Sequence, residues 1–169
     1  MIDLPRHDRL HGRRRGRRLR LGQATLLAEA LPHYRLTVEE LRRLGPRGVF
    51  ETAPRRVWLE IGFGGGEHLA HQAASHADTG IIGCEVFQTG IVSLLHHLDE
   101  GGIGNVRIVT DDARLVLDVL PDASLGRVFI LFPDPWPKAR HHKRRLVSPS
   151  TMNALARTME EGAELRLAT

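Results

Sequence analysis

From Arg56 onward, short runs dense in aliphatic residues alternate with stretches whose apolar positions recur every three to four residues. The runs at 56–61 (RVWLEI), 80–85 (GIIGCE), 105–110 (NVRIVT), 127–132 (RVFILF) and 164–168 (ELRLA) predict strands. Between them, Ile91, Leu94, Leu95 and Leu98 share one helix face, and Val116, Val119 and Leu120 do so on a shorter helix. Ser148 followed by Pro149 predicts a further helix start, with Met152, Leu155 and Met159 on its buried face and Gly162 at its end. Strand and helix in alternation predict an α/β fold, a mostly parallel twisted sheet with helices on both faces. The chain ends at Ala168-Thr169 on the fifth strand with nothing to cover that edge, so it is expected to be incomplete at its C-terminus.

The segment before Arg56 reads differently. Basic residues extend to Arg20, a helix is predicted around 22–31, and Pro32, Gly45, Pro46, Gly48 and Pro54 punctuate a connection. Residues 1–55 are therefore expected to form an N-terminal extension with one helix, and residues 56–169 the ligand-binding domain.

Composition narrows the class of partner. Eight arginines lie within 6–20 and five cations within 138–145, thirteen of the 24 Lys and Arg residues, a concentration suited to a polyanion. The first twenty residues lack an apolar core, and no stretch approaches the roughly 18 apolar residues of a membrane span, so a cytoplasmic protein is expected and a membrane partner is not. Cys84 is the single cysteine, which excludes an intrachain disulfide and predicts a small buried residue. His141 and His142 have no further ligands at metal spacing, so no metal is expected. Nothing in the pattern reports oligomeric state.

The candidate chemistry lies at the carboxyl ends of the predicted strands. LEIGFGGGEHL, 59–69, places Glu60 at the end of the first strand, then Gly62, Gly64 and Gly66 before a helix that starts near Glu67. A dinucleotide fingerprint requires a small residue at 67, so a pyrophosphate is disfavoured. An acid ahead of the glycines suits a ligand with a cationic head, for which S-adenosylmethionine is the natural candidate. Glu85 closes the second strand, where an acid accepts hydrogen bonds from both ribose hydroxyls. Asp112 follows the third and can accept from an adenine amino group, although its neighbour Asp111 competes for that role. FPDPWPKARHHKRR, 132–145, follows the fourth strand. Pro133, Pro135 and Pro137 stiffen the loop and hold Asp134 in place, while Trp136 offers a flat surface for a base or a support for the loop. Lys138, Arg140, Lys143, Arg144 and Arg145 follow as candidate phosphate contacts.

These residues closely resemble the bacterial tRNA (guanine-N7)-methyltransferases over essentially the whole length: LHGRRRGRRLRLGQATLLAEALPHY, the glycine loop at 60–66, Gly83 to Glu85, Asp112-Ala113 and FPDPWPKARHHKRR. The resemblance implies a Rossmann-like class I methyltransferase fold lacking its C-terminal strands, with S-adenosyl-L-methionine as methyl donor and a guanine in the tRNA variable loop as acceptor. It implies cofactor contacts from Glu60, Glu85, Asp112 and Asp134, a catalytic role for Asp134, a substrate contact at Lys138, and an RNA-interacting segment over Arg140, His141, His142, Lys143, Arg144 and Arg145. The acid-alanine pair of the family favours Asp112 over Asp111. The family continues beyond the fifth strand with Thr-Asp and a Thr-x-x-Glu segment, whereas this chain stops at Thr169. Two other readings compete. A non-catalytic RNA-binding module would use the basic stretches but has no need of the acids. A methyltransferase acting on base amino groups would carry D-P-P-[YW], and the second proline is missing after Asp134-Pro135.

Overall fold

The computed structural model describes residues 18–138, 140, 141 and 145–169. Among these, helices α1 (Leu21–Tyr34) and α2 (Val38–Gly48) precede strand β1 (Arg56–Ile61). Helix α3 (Glu67–Ser75), β2 (Thr79–Cys84), α4 (Gln88–Gly101), β3 (Val106–Val109) and α5 (Ala113–Val119) follow. The chain closes with β4 (Leu125–Leu131), α6 (Pro149–Thr158) and β5 (Met159–Ala168). The strands form one sheet in the order β3-β2-β1-β4-β5, every pairing parallel.

Parallel strands need helical crossovers, and these cover both faces, so β1 and β2 are buried almost end to end. One core joins Val57, Leu59 and Ile61 to Leu41 of α2, Val116 and Leu117 of α5 and Leu155 of α6. The other joins Trp58, Ile81 and Phe129 to Leu69 of α3 and Leu94, Leu95 and Leu98 of α4, with α1 packed against it. The period of two along β1 thus sends odd positions to one layer and even positions to the other.

The segment before β1 carries two helices where one was expected. Thr37 accepts a hydrogen bond from the Glu40 backbone N–H, and the Glu40 carboxylate accepts from the Thr37 backbone in return, a capping box that starts α2. Gly45, at φ 72°, kinks the helix without stopping it. α1 runs three residues beyond 31, with Pro32 inside it. The extension is tied to the sheet where the Leu36 N–H donates to the Ile108 carbonyl at 2.8 Å.

At the other end, α6 starts as expected, with Ser148 capping the Thr151 N–H and Pro149 in the first turn. It stops at Thr158, however, and Gly162 is not its terminator. Gly162 lies inside β5 at φ 76°, where β4 advances from Leu125 to Arg127 while β5 advances from Met159 to Glu164. It marks a β-bulge, the other common use of a glycine in left-handed backbone. Met159 accordingly belongs to the strand, and the buried positions of α6 are Thr151, Leu155 and Thr158.

Candidate active site

Strand order reverses between β1 and β4, and the loops leaving their carboxyl ends flank a crevice, the place where open α/β sheets bind ligands. A cavity of about 490 Å³ opens there. It is lined by Gly62 and Gly64 after β1, Glu85 after β2, Asp111 and Asp112 after β3, and Phe132, Asp134 and Trp136 after β4.

The glycine loop adopts backbone conformations that favour glycine. Gly62, Gly64 and Gly66 have φ values of 72°, 55° and 83°, in the left-handed region. Gly66 caps α3 and does not line the cavity; a Cβ there would meet Leu94 Cβ at 2.6 Å. Glu85 ties the loop down: its Oε2 accepts from the Gly64 N–H at 3.0 Å, and its Oε1 accepts from Val86 and Phe87 at 2.7 and 2.9 Å. Gly90 of α4 lies so close to Gly64 that a Cβ would stand 2.2 Å from the Gly64 carbonyl oxygen.

Two of the expected acids are placed differently from the rest. Glu60 is the fifth residue of β1 and shares the even-numbered face with Trp58, so its side chain leaves the sheet toward α3 and does not line the cavity. It is 2% exposed, and its Oε2 lies 2.7 Å from His68 Nδ1. Burial raises its carboxyl above the ordinary range, an effect that His68 opposes. Asp112 lines the cavity but is also engaged elsewhere, for its Oδ1 caps α5 at the Arg114 N–H and its two oxygens receive the Arg114 guanidinium at 2.8 to 3.3 Å. Asp111, beside it, is exposed on the same cavity wall. Cys84 is buried as expected, and burial pushes its thiol well above the usual range, which leaves it protonated and unreactive.

Asp134 is exposed on the loop after β4. Two residues of that loop, Phe132 and Trp136, adopt left-handed backbone at φ 53° and 38°, unusual for bulky side chains and a mark of a conformation imposed by its surroundings. Phe132 donates its N–H to the Ala168 carbonyl at 2.8 Å, and the residue, 74% exposed, lines the cavity. Nothing in the sequence singled out Phe132, because its exposure depends on a backbone twist that its residue type disfavours. The basic run is only partly described. Lys138 and Arg140 are exposed, His141 meets the Trp136 ring edge-on at 5.6 Å, and Arg145 turns back onto the loop. His142, Lys143 and Arg144 lie outside the described residues, as do all the N-terminal arginines before Arg18.

The fold and the crevice define a class I methyltransferase. A methyltransferase family model matches residues 54–169. The solved structure of the antibiotic-resistance methyltransferase Kmr shares the fold, with a TM-score of 0.52 over 79% of this chain and 66% of that one at 22% identity. The tRNA (guanine-N(7)-)-methyltransferase of Paramagnetospirillum magneticum is 53% identical over 95% of this chain and 68% of its own length. That of Rhodospirillum rubrum is 47% identical over 100% of this chain and 68% of its own. The chain belongs to the tRNA (guanine-N7)-methyltransferase family.

Proposed function

We propose that the chain transfers a methyl group from S-adenosyl-L-methionine to N7 of a guanine in the variable loop of tRNA, in the cytoplasm, with Asp134 as the catalytic residue. The observation that carries this reading is the meeting of Gly62, Gly64, Glu85, Asp112 and Asp134 around one cavity at the strand-order reversal. The donor set fits the cofactor and disfavours a dinucleotide. Glu67 folds its carboxylate against Gly65 at the start of α3, where a Cβ on Gly65 would lie 2.6 Å from it, and a negative charge at that helix terminus repels a pyrophosphate. Glu85 would hold the ribose hydroxyls, and Asp112 or its neighbour Asp111 the adenine amino group. Glu60 would act from behind the glycine loop, through His68 and the start of α3.

The bound cofactor supplies an electrophilic methyl group on a sulfonium. Guanine N7 presents a lone pair and no proton, so the protein has no base to provide, and alignment dominates. Fixing two reactants in line contributes about 7–11 kcal/mol in favourable cases. Methylation leaves the base cationic, and Asp134, hydrogen-bonded to the N1–H and exocyclic amine edge, both orients the guanine and balances the charge that grows in the transition state. The exposed Phe132 ring offers a face on which the base can stack beside it. Lys138 would contact the acceptor nucleotide, and Arg140, His141, His142, Lys143 and Arg144 the RNA backbone.

Transfer of a labelled methyl group to bulk tRNA, followed by mapping of the modified nucleoside, tests donor, acceptor and atom together. Label in 7-methylguanosine is expected; label in any other nucleoside, or none, refutes the reading. Glu85→Gln tests the cofactor subsite separately. Its amide replaces an acceptor with a donor against one of three backbone N–H groups, and a hydrogen bond to a charged group is worth about 1.5–3 kcal/mol. The calorimetric Kd for S-adenosylmethionine is therefore expected to rise at least tenfold, and an unchanged Kd would remove Glu85 from the site.

A further inference from the structure

In sequence the basic run 138–145 forms one stretch of candidate phosphate contacts, but its last cation does something else. Arg145 Nε donates to the Pro135 carbonyl at 3.0 Å and Nη2 donates to the Trp136 carbonyl at 3.3 Å, the two residues that directly follow Asp134. We propose that Arg145 is a positioning residue that fixes the Asp134 loop, and that it does not contact RNA phosphate. The inference rests on the catalytic role given to Asp134 above.

The loop needs such a brace for a reason written in its composition. Prolines at 133, 135 and 137 remove the N–H donors with which a turn ordinarily closes on itself, and no helix or strand runs through 133–137. Backbone carbonyls there require donors from elsewhere. A guanidinium presents Nε–H and Nη2–H on one edge in a fixed fork, which spans two successive carbonyls; an ammonium is a point donor and does not. Trp136, one of the bridged residues, is also the one at φ 38°, so the fork holds the loop where its backbone is strained. Arg140, by contrast, is exposed.

The experiment compares Arg145→Lys, Arg145→Ala and Arg140→Ala with the parent chain. Methyl transfer is measured at saturating tRNA and S-adenosylmethionine, and tRNA affinity is measured as a function of salt. Both Arg145 variants are expected to lose about 10- to 100-fold in kcat, as a small misplacement of the reacting groups does. Their plots of log affinity against log salt should keep the parental slope. Arg140→Ala should lose about 0.7–0.9 of that slope, one phosphate contact. Retention of kcat in Arg145→Lys, or a shallower slope in either Arg145 variant, overturns the proposal. Acrylamide quenching supplies a readout independent of activity: Trp58 is 4% exposed, so the quencher reports on Trp136, and Arg145→Ala should expose it further. If the parent chain transfers no methyl group, the functional reading fails while the quenching result still decides the brace: unchanged quenching refutes it.

Discussion

An Asp134→Asn protein is expected to bind tRNA normally and to methylate it 10²- to 10³-fold more slowly. The substitution keeps the size of the side chain and much of its hydrogen bonding, so it isolates the negative charge. If that charge serves only to bind substrate, KM rises and kcat is retained. If it balances the cation that forms on the guanine, the loss falls on kcat, because the interaction strengthens only as the methyl group transfers. Removal of one preorganised electrostatic partner of this kind costs about 2.7–4 kcal/mol. Single-turnover rates at saturating tRNA and cofactor separate the two cases, and a parental rate would exclude Asp134 from the chemistry.

The second large effect concerns a residue that touches no reactant. Gly90→Ala places a methyl group 2.2 Å from the Gly64 carbonyl oxygen and 3.1 Å from its carbon, both backbone atoms that cannot swing aside. The clash is relieved only by moving α4 or the glycine loop, and α4 is locked by Ile91, Leu94, Leu95 and Leu98 in the core. The loop is the softer of the two, so it moves, and Gly64 leaves the Glu85 carboxylate that holds it. Overpacking of this sort costs about 1–3 kcal/mol in stability. The affinity for S-adenosylmethionine should fall with it, by about 100-fold in an isothermal titration, a comparable free energy expressed at the glycine loop. Gly22→Ala is the control, since a Cβ there meets nothing within 4 Å and the residue lies in the exposed first turn of α1. If Gly90→Ala binds cofactor as Gly22→Ala does, the contact between α4 and the loop carries no functional weight.

The parts of the fold that follow from periodicity were legible in the sequence. Four of the five strands appear within two residues of their expected positions, β5 begins five residues before its expected start, and the apolar stripe at Ile91, Leu94, Leu95 and Leu98 is buried. Helix α2 carried a readable start in Thr37-x-x-Glu40, but Gly45, Pro46 and Gly48 suggested a connection; the helix tolerates them because the kink falls at Gly45 and Pro46 packs into the core. Gly162 shows the opposite ambiguity: a glycine after a helical pattern can terminate the helix or bulge a strand, and the pairing register of β4 with β5 separates the two.

The candidate site was legible as a set of positions and less so as a set of directions. Gly62, Gly64, Glu85, Asp112 and Asp134 meet around the cavity because all of them follow strand ends. Glu60 precedes its strand end by one residue, and one residue in a strand reverses the face, so its carboxylate meets His68. The role of Arg145 was out of reach for a different reason. Its acceptors are main-chain carbonyls, which every residue carries, and nothing in residue identity distinguishes a carbonyl ten positions back from a phosphate.

The left-handed backbone at Phe132 places durability and turnover in opposition. A bulky residue in that conformation costs roughly 1–2 kcal/mol, which glycine at 132 would recover in part. Stabilisation alone would therefore favour losing the aromatic ring that lines the cavity, whereas the stacking role proposed for that ring requires it. A thermostabilised form of this protein is best sought in the helices, with position 132 left as it stands.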